Sequence, residues 1–215
     1  MFSTRLPIAE AYADLLTGDG TLRGLIGPRE VPRIWERHIL NCAMVTELMP
    51  EHASVCDIGS GAGLPGVVIA IRRPDLHVVL VEPLLRRTTF LDEAVAVLGL
   101  ANVTVHRGRA EDLHDRQEFD VVTARAVAPL ERLVGWSLPL VRTGGVFLAM
   151  KGSGAHAEVE ASDAALHRFG GVDVSVEVVG VGVVEPPVTV VKVVKGVPME
   201  TRGSQTKRKP RSRRS

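Results

Sequence analysis

The chain has 215 residues, 45% of them hydrophobic and 24% charged. That is the size and make-up of one well-packed globular domain and excludes a wholly disordered polymer. Aromatic residues contribute only 4%, so the core has to be aliphatic, as in a sheet of Val and Ile covered by helices rich in Leu and Ala.

Apolar spacing predicts helices over residues 8–16 and 31–49, a cap ahead of the first strand. Residues 54–57, 77–82, 103–107, 119–123 and 145–150 read as short buried strands. Helices are predicted between them over 64–72, 84–98 and 129–141. In the second of these, Leu84, Leu91, Ala94, Val95 and Leu98 fall at helical spacing on one face, and Gly99 supplies a C-terminal stop. Strand and helix in alternation imply right-handed βαβ units and a mainly parallel sheet. A last helix over 155–169 ends at Gly170-Gly171. Strands over 172–179 and 188–194 then follow with no helix between them, which predicts an antiparallel C-terminal hairpin at one sheet edge.

Cys42 and Cys56 are too few for a disulfide framework and read as reduced core thiols. No Cys/His spacing suits zinc, so no metal site is expected. The formal charge of +1 conceals an asymmetry. The last fifteen residues, TRGSQTKRKPRSRRS, hold seven Lys or Arg and no acid, leaving 19 basic against 25 acidic residues in the body. The stretch 197–215 is therefore expected to be a disordered basic tail, either solvated without a specific role or attracted to a polyanion. With no apolar leader and no stretch long enough to span a membrane, the expected location is cytoplasmic. The predicted organisation is a helical cap (1–50), a ligand-binding α/β domain (51–196) and the tail.

The most informative segment is DIGSGAGLPG, from Asp57 to Gly66, where the first strand hands over to a helix. Glycines there allow positive φ and close approach of the backbone to a ligand, at the carboxyl edge where open parallel sheets bind. GAGLPG literally matches the dinucleotide fingerprint G-x-G-x-x-G, so an NAD-linked oxidoreductase has to be weighed. Asp57 argues against it, because a pyrophosphate is poorly served by an acid, whereas the amino group and sulfonium of S-adenosylmethionine suit one. Glu82 ends the second strand and can accept both hydroxyls of an adenosine ribose in either cofactor. An oxidoreductase would also need a proton relay, and the sole tyrosine, Tyr12, lies in the N-terminal helix. A non-enzymatic RNA-binding module driven by the tail is the third class.

Several runs together carry a closer likeness: WERHILN (Trp35–Asn41), DIGSGAGLPG, EPLLRRTTFL (Glu82–Leu91), GRAE (Gly108–Glu111), TARAVA (Thr123–Ala128) and LAMKG (Leu148–Gly152). In this order, over residues 33–194, the sequence resembles the bacterial RsmG (GidB) family, which methylates guanine N7 in 16S ribosomal RNA. The resemblance implies a Rossmann-like class I S-adenosylmethionine-dependent methyltransferase: a mostly parallel seven-stranded sheet with an antiparallel C-terminal hairpin. It implies cofactor contacts at Gly59, Leu64, Ala110, Glu111 and Arg125, to which the residue chemistry adds Asp57, Gly61 and Glu82. It implies basic residues near cofactor and RNA at Arg109, Arg125 and Lys151, which are taken as the catalytic set, with Arg86 at a further basic position. One family arginine before the last strand is unmatched; Glu185-Pro186-Pro187 stands there instead.

The chemistry agrees with that likeness. Methylating pyrimidine C5 needs an enzyme thiolate, and neither cysteine is placed for it. Adenine N6 methylation usually shows an Asn/Asp-Pro-Pro-aromatic run after strand four, where this chain has Ala124-Arg125-Ala126-Val127. Guanine N7 already carries an in-plane lone pair, so orientation and proximity can suffice. Arg125 is then a positioning group for guanine, a phosphate or the cofactor's methionine end, or an ordinary ion-paired surface arginine. Lys151 could contact an RNA phosphate or simply be solvated. Arg37 and His38 could help close the pocket, His38 alternatively being a structural hydrogen-bonding residue.

Overall fold

The computed structural model describes residues 1–196; the basic tail expected beyond them lies outside the described residues. Seven strands form one sheet: β1 (Ser54–Ile58), β2 (His77–Glu82), β3 (Val103–Arg107), β4 (Phe119–Arg125), β5 (Val141–Lys151), β6 (Gly171–Val179) and β7 (Val188–Lys195). Their order is β3-β2-β1-β4-β5-β7-β6. The first five run parallel, and β7 pairs antiparallel with both β5 and β6. The α/β class and the C-terminal hairpin are as expected from the alternation of periods.

Period-two alternation divides the buried strand residues between two faces. Val55, Val78, Leu80, Val121 and Leu148 face the side covered by α1 (Leu6–Leu15), α2 (Leu40–Met44), α3 (Gly66–Arg72) and α4 (Leu85–Leu98). Cys56, Ile58, Val79, Val81, Val122 and Phe147 face α5 (Leu130–Ser137), α6 (Ala155–Ala161) and α7 (Asp163–Arg168). The N-terminal segments contribute Tyr12, Leu16, Ile39 and Cys42 to the first of these cores, so they share it with the sheet. Both cysteines are buried and unbridged.

Four of the predicted helices are cut short or broken, each for a local reason. The helix expected over 64–72 begins only at Gly66, whose N–H is taken by Asp57. The segment 31–49 is not one helix. It runs through a tight turn (Pro28–Arg33), a wide turn (Ile34–Ile39), α2 and a second tight turn (Val45–Leu48), and Pro32 has no N–H to give a continuous ladder. Residues 129–141 form α5 and a tight turn at Leu138–Leu140 containing Pro139, after which Val141 already belongs to β5. The helix expected over 155–169 is broken at Ser162, whose hydroxyl donates to the Glu158 carbonyl at 2.6 Å and competes with the helical bonds there. Among the described residues no helix is long and apolar enough to cross a membrane.

The sheet order reverses between β1 and β4, and at that point the crossovers leave in opposite directions and open a crevice at the carboxyl edge. Gly59, Glu82, Gly108, Arg125 and Lys151 end or follow β1 to β5 in turn. The fold thus delivers the sequence-selected residues to one edge.

Candidate active site

The loop after β1 turns through three left-handed glycines, at φ +68° (Gly59), +60° (Gly61) and +96° (Gly63). At Gly63 a Cβ would stand 2.8 Å from the Tyr12 hydroxyl. That hydroxyl donates to the Ala62 carbonyl at 2.7 Å, so α1 lies directly beneath the loop. Gly66 has ordinary dihedrals but no room: a Cβ there would collide with Leu80 and approach Asp57 Oδ2 to 2.7 Å.

Asp57 is buried, and its Oδ2 accepts the Gly66 N–H at 3.0 Å at the start of α3. Burial pushes its carboxyl up to about 7, against the opposing effect of that N–H. Its Oδ1 has no hydrogen-bond partner among the described residues. Asp57 therefore lies behind the loop, holding it to α3, and is not among the residues facing either of the cavities below. Leu64 and Gly61 likewise shape the loop from within. Glu82, also buried, pins it from the other side: Oε2 accepts the Gly61 N–H at 3.0 Å and Oε1 the Leu84 N–H at 3.1 Å. Arg87, not Arg86, approaches this carboxylate, at 3.3 Å.

Two cavities open at this edge. The smaller, about 220 Å³, is lined by Ile58, Gly59, Val81, Pro83, Gly108, Arg109, Ala110, Glu111, Val127 and Trp136. Its walls are mostly apolar, with polar groups at one side, as a purine ring requires. Ala110 and Glu111 enter through the turn Ala110–Leu113, fixed by Asp112 accepting the Arg109 N–H at 2.8 Å. Arg109 thus belongs to this cavity and not to the one holding Arg125 and Lys151.

The larger cavity, about 900 Å³, is lined by Arg125 and Lys151 together with Glu30, Arg37, His38, Asn41, Met150 and Glu158, and by Pro186 and Pro187 at its rim. The departure from the family pattern at Glu185-Pro186-Pro187 therefore falls on this cavity. Arg125 is held inward: Nη1 donates to Cys42 Sγ at 3.2 Å and Nη2 to His38 Nδ1, while His38 Nε2 lies 2.7 Å from Glu30 Oε2. Lys151 is engaged too. Its Nζ donates to the Ala128 carbonyl at 3.0 Å and to Glu158 Oε2 at 2.7 Å, and the same oxygen accepts the Leu130 N–H at 2.9 Å. The lysine clasps the loop between β4 and α5 instead of projecting as a free charge. That loop is the wall between the cavities. Ala126, at φ +56°, lines the larger one, and Val127 lines the smaller one, its methyl 2.8 Å from where a Gly59 Cβ would stand.

Glu30, Cys42, Glu158, Val127, Trp136 and Tyr12 were not legible as site residues. Of these only Val127 sits in a motif, TARAVA, and its role depends on that loop folding against Gly59; the others reach the site from distant or irregular segments. Among the described residues no three His, Cys, Asp or Glu side chains cluster as a metal ion would need.

Known proteins agree with this architecture. The fold is similar to the precorrin-6y C5,15-methyltransferase of Geobacter metallireducens, with a TM-score of 0.52 at 17% identity, covering 80% of this chain and 91% of that one. It is also similar to M. jannaschii TYW2, solved in complex with AdoMet, with a TM-score of 0.55 at 16% identity, covering 71% of each chain. At those identities the likeness is one of fold. Sequence relatives carry more. A protein of Thermobifida fusca named ribosomal RNA small subunit methyltransferase G is 55% identical over all of this chain and 92% of its own length. A protein of the same name from Corynebacterium glutamicum is 50% identical over 90% of this chain and 88% of its own. The family model described as GidB, rRNA small subunit methyltransferase G, matches residues 5–184, and the chain belongs to that family.

Proposed function

We propose that this protein transfers the methyl group of S-adenosylmethionine to N7 of a guanine in 16S ribosomal RNA, in the cytoplasm, on the RNA or on the small subunit. S-adenosylmethionine, when bound, supplies an electrophilic methyl on a sulfonium. Gly59, Ala110 and Glu111 would hold its adenine in the smaller cavity, and Glu82 would accept its ribose hydroxyls. Asp57, Gly61 and Leu64 keep the glycine loop in shape from behind, and Arg125 faces the junction with the larger cavity.

The observation that carries the guanine N7 reading is the state of the groups around that larger cavity. Each candidate proton acceptor is already tied to a partner through one of its atoms: Glu30 Oε2 with His38, Glu158 Oε2 with Lys151 and the Leu130 N–H, and the Nδ1 lone pair of His38 with Arg125. Cys42, buried, has its thiol pushed up to about 11 by burial and is not a thiolate at neutral pH. Such a site suits a nucleophile that brings its own lone pair and no proton. Catalysis then rests on orientation, which is worth up to roughly 7–11 kcal/mol.

In this reading Arg125 anchors guanine O6 or an adjacent phosphate. Lys151 fixes the wall against which the base stacks, and Arg109 meets RNA phosphate at the cofactor rim. The cap of residues 1–50 closes the acceptor side of the domain spanning 51–196. The test is methylation of small subunits from cells lacking this protein, using labelled S-adenosylmethionine and nucleotide mapping by mass spectrometry. Label at N7 of one 16S guanine is the expected result; label on another atom or on another RNA overturns it.

A further inference from the structure

The guanidinium of Arg125 is assigned to the methyl-transfer site by the reading above, and the present inference rests on it. What holds that guanidinium is a chain of groups from the N-terminal segments. Glu30 lies in the turn Pro28–Arg33, His38 in the turn Ile34–Ile39, Cys42 in α2 and Arg125 at the end of β4. We infer that Glu30 and His38 are positioning residues: Glu30 fixes the tautomer of His38, and His38 in that tautomer orients the Arg125 guanidinium for the acceptor base.

The argument is one of donors and acceptors. A guanidinium has only donors, so the His38 Nδ1 that meets Arg125 Nη2 must present its lone pair. The ring proton then sits on Nε2, where Glu30 Oε2 accepts it at 2.7 Å. The two contacts are mutually consistent only for neutral, Nε2-protonated imidazole. A protonated ring would turn an N–H towards Arg125 and break the chain. The surroundings favour the neutral ring: burial and the Arg125 charge lower its affinity for a proton, against the pull of Glu30. The Cys42 sulfur takes a second donor of the same guanidinium at 3.2 Å. Two of its nitrogens are thereby anchored, and among the described residues its remaining N–H groups have no acceptor other than a ligand in the cavity that Arg125 lines.

The chain also explains why an irregular, proline-interrupted cap stands here. A regular helix over 31–49 has no reason to bring Glu30 and His38, eight residues apart, to a 2.7 Å contact; the tight and wide turns do. An arginine side chain free to sample its rotamers would lose entropy each time it engaged the base, and orientation held in advance removes that loss from the reaction.

The test is a double-mutant cycle with small subunits from cells lacking the protein, labelled S-adenosylmethionine and saturating cofactor. His38→Ala is expected to lower kcat about 10- to 100-fold, the range typical of losing an orienting partner of a charged group, with calorimetric affinity for S-adenosylmethionine within about twofold. His38→Asn puts an amide oxygen where Nδ1 stands and should recover most of that loss. In an Arg125→Ala background, His38→Ala should cost nothing further. Nitrogen-15 shifts should report the Nε2-protonated tautomer in the wild type and a mixture in Glu30→Ala. Normal turnover of His38→Ala, losses that multiply in the double variant, or an Nδ1-protonated ring would each overturn the inference while leaving the role of Arg125 standing. Normal turnover of Arg125→Ala would overturn both and is recognised by that variant alone.

Discussion

Tyr12→Phe removes one oxygen from a side chain that is 0% exposed. The hydroxyl is the donor that satisfies the Ala62 carbonyl, at 2.7 Å, in the middle of the glycine loop. Phenylalanine fills the same volume, so packing is retained and the loss is that of one buried hydrogen bond with its acceptor left unpaired. That costs about 1–3 kcal/mol. We take about 2, because no water can reach the site to replace the donor. In a chain of this length that is a fall in Tm of roughly 4–8 °C. In urea, followed by far-ultraviolet circular dichroism, the midpoint should drop with the slope unchanged. Because Ala62 belongs to the loop that would carry the cofactor, calorimetric affinity for S-adenosylmethionine should weaken by about three- to tenfold, the free-energy equivalent of part of that bond. An unchanged urea midpoint would refute the reasoning about the unpaired carbonyl. A lowered midpoint with unchanged cofactor affinity would refute the coupling of α1 to the loop.

Three further outcomes follow from the same geometry. Asp120, held by the Ser54 N–H and hydroxyl at 2.8 and 2.6 Å and by Arg142 at 2.6 Å, has its carboxyl lowered to about 2, chiefly by the Ser54 hydroxyl. A lowered carboxyl stabilises above its ordinary value and loses that contribution as pH falls through the folded value. Asp120→Asn should therefore cost about 1–2 kcal/mol at pH 7, after discounting for its partly exposed side chain, and the gap from wild type should close between roughly pH 4 and pH 2 in calorimetric melts. Gly66→Ala should destabilise by about 1–3 kcal/mol in the same measurement, since its methyl collides with Leu80 and crowds Asp57; a neutral result would mean α3 shifts freely. His38 faces Glu30, Arg37 and Arg125. Its imidazole titration by nuclear magnetic resonance should lie below the ordinary value, move lower in Glu30→Ala and higher in Arg125→Ala. As pH falls through that value, turnover should fall with protonation of the ring; movement of the two variants in the same direction would sink the electrostatic account.

How much of this was legible in the sequence depends on the range of the interactions involved. The strands β2 and β3 and the stop of α4 at Gly99, which stands in the left-handed conformation at φ +61°, follow from period, branching and a single glycine. These are properties of neighbouring residues, and they were read with their boundaries. The glycine loop was legible for the same reason, because a turn through three left-handed residues in close succession strongly favours glycine. Where propensity competes with a specific bond the reading failed: Ser162 interrupts a continuous apolar pattern through its own hydroxyl, and Gly66 starts α3 late because Asp57 holds its N–H.

The sequence by itself determined a parallel sheet with a ligand loop at its carboxyl edge and marked Arg125 and Lys151 at the ends of β4 and β5. Tertiary structure alone decided what those two cations do. Lys151 turns inward to Glu158 and the Ala128 carbonyl, and Arg125 is gripped by His38 and Cys42 from a segment more than eighty residues away. It also decided that Asp57 stands behind the loop and that Arg109 serves the smaller cavity. The physical reason is that periodicity records which face of an element is apolar, whereas the direction of a charged side chain depends on which distant donor or acceptor the fold brings within about 3 Å of it.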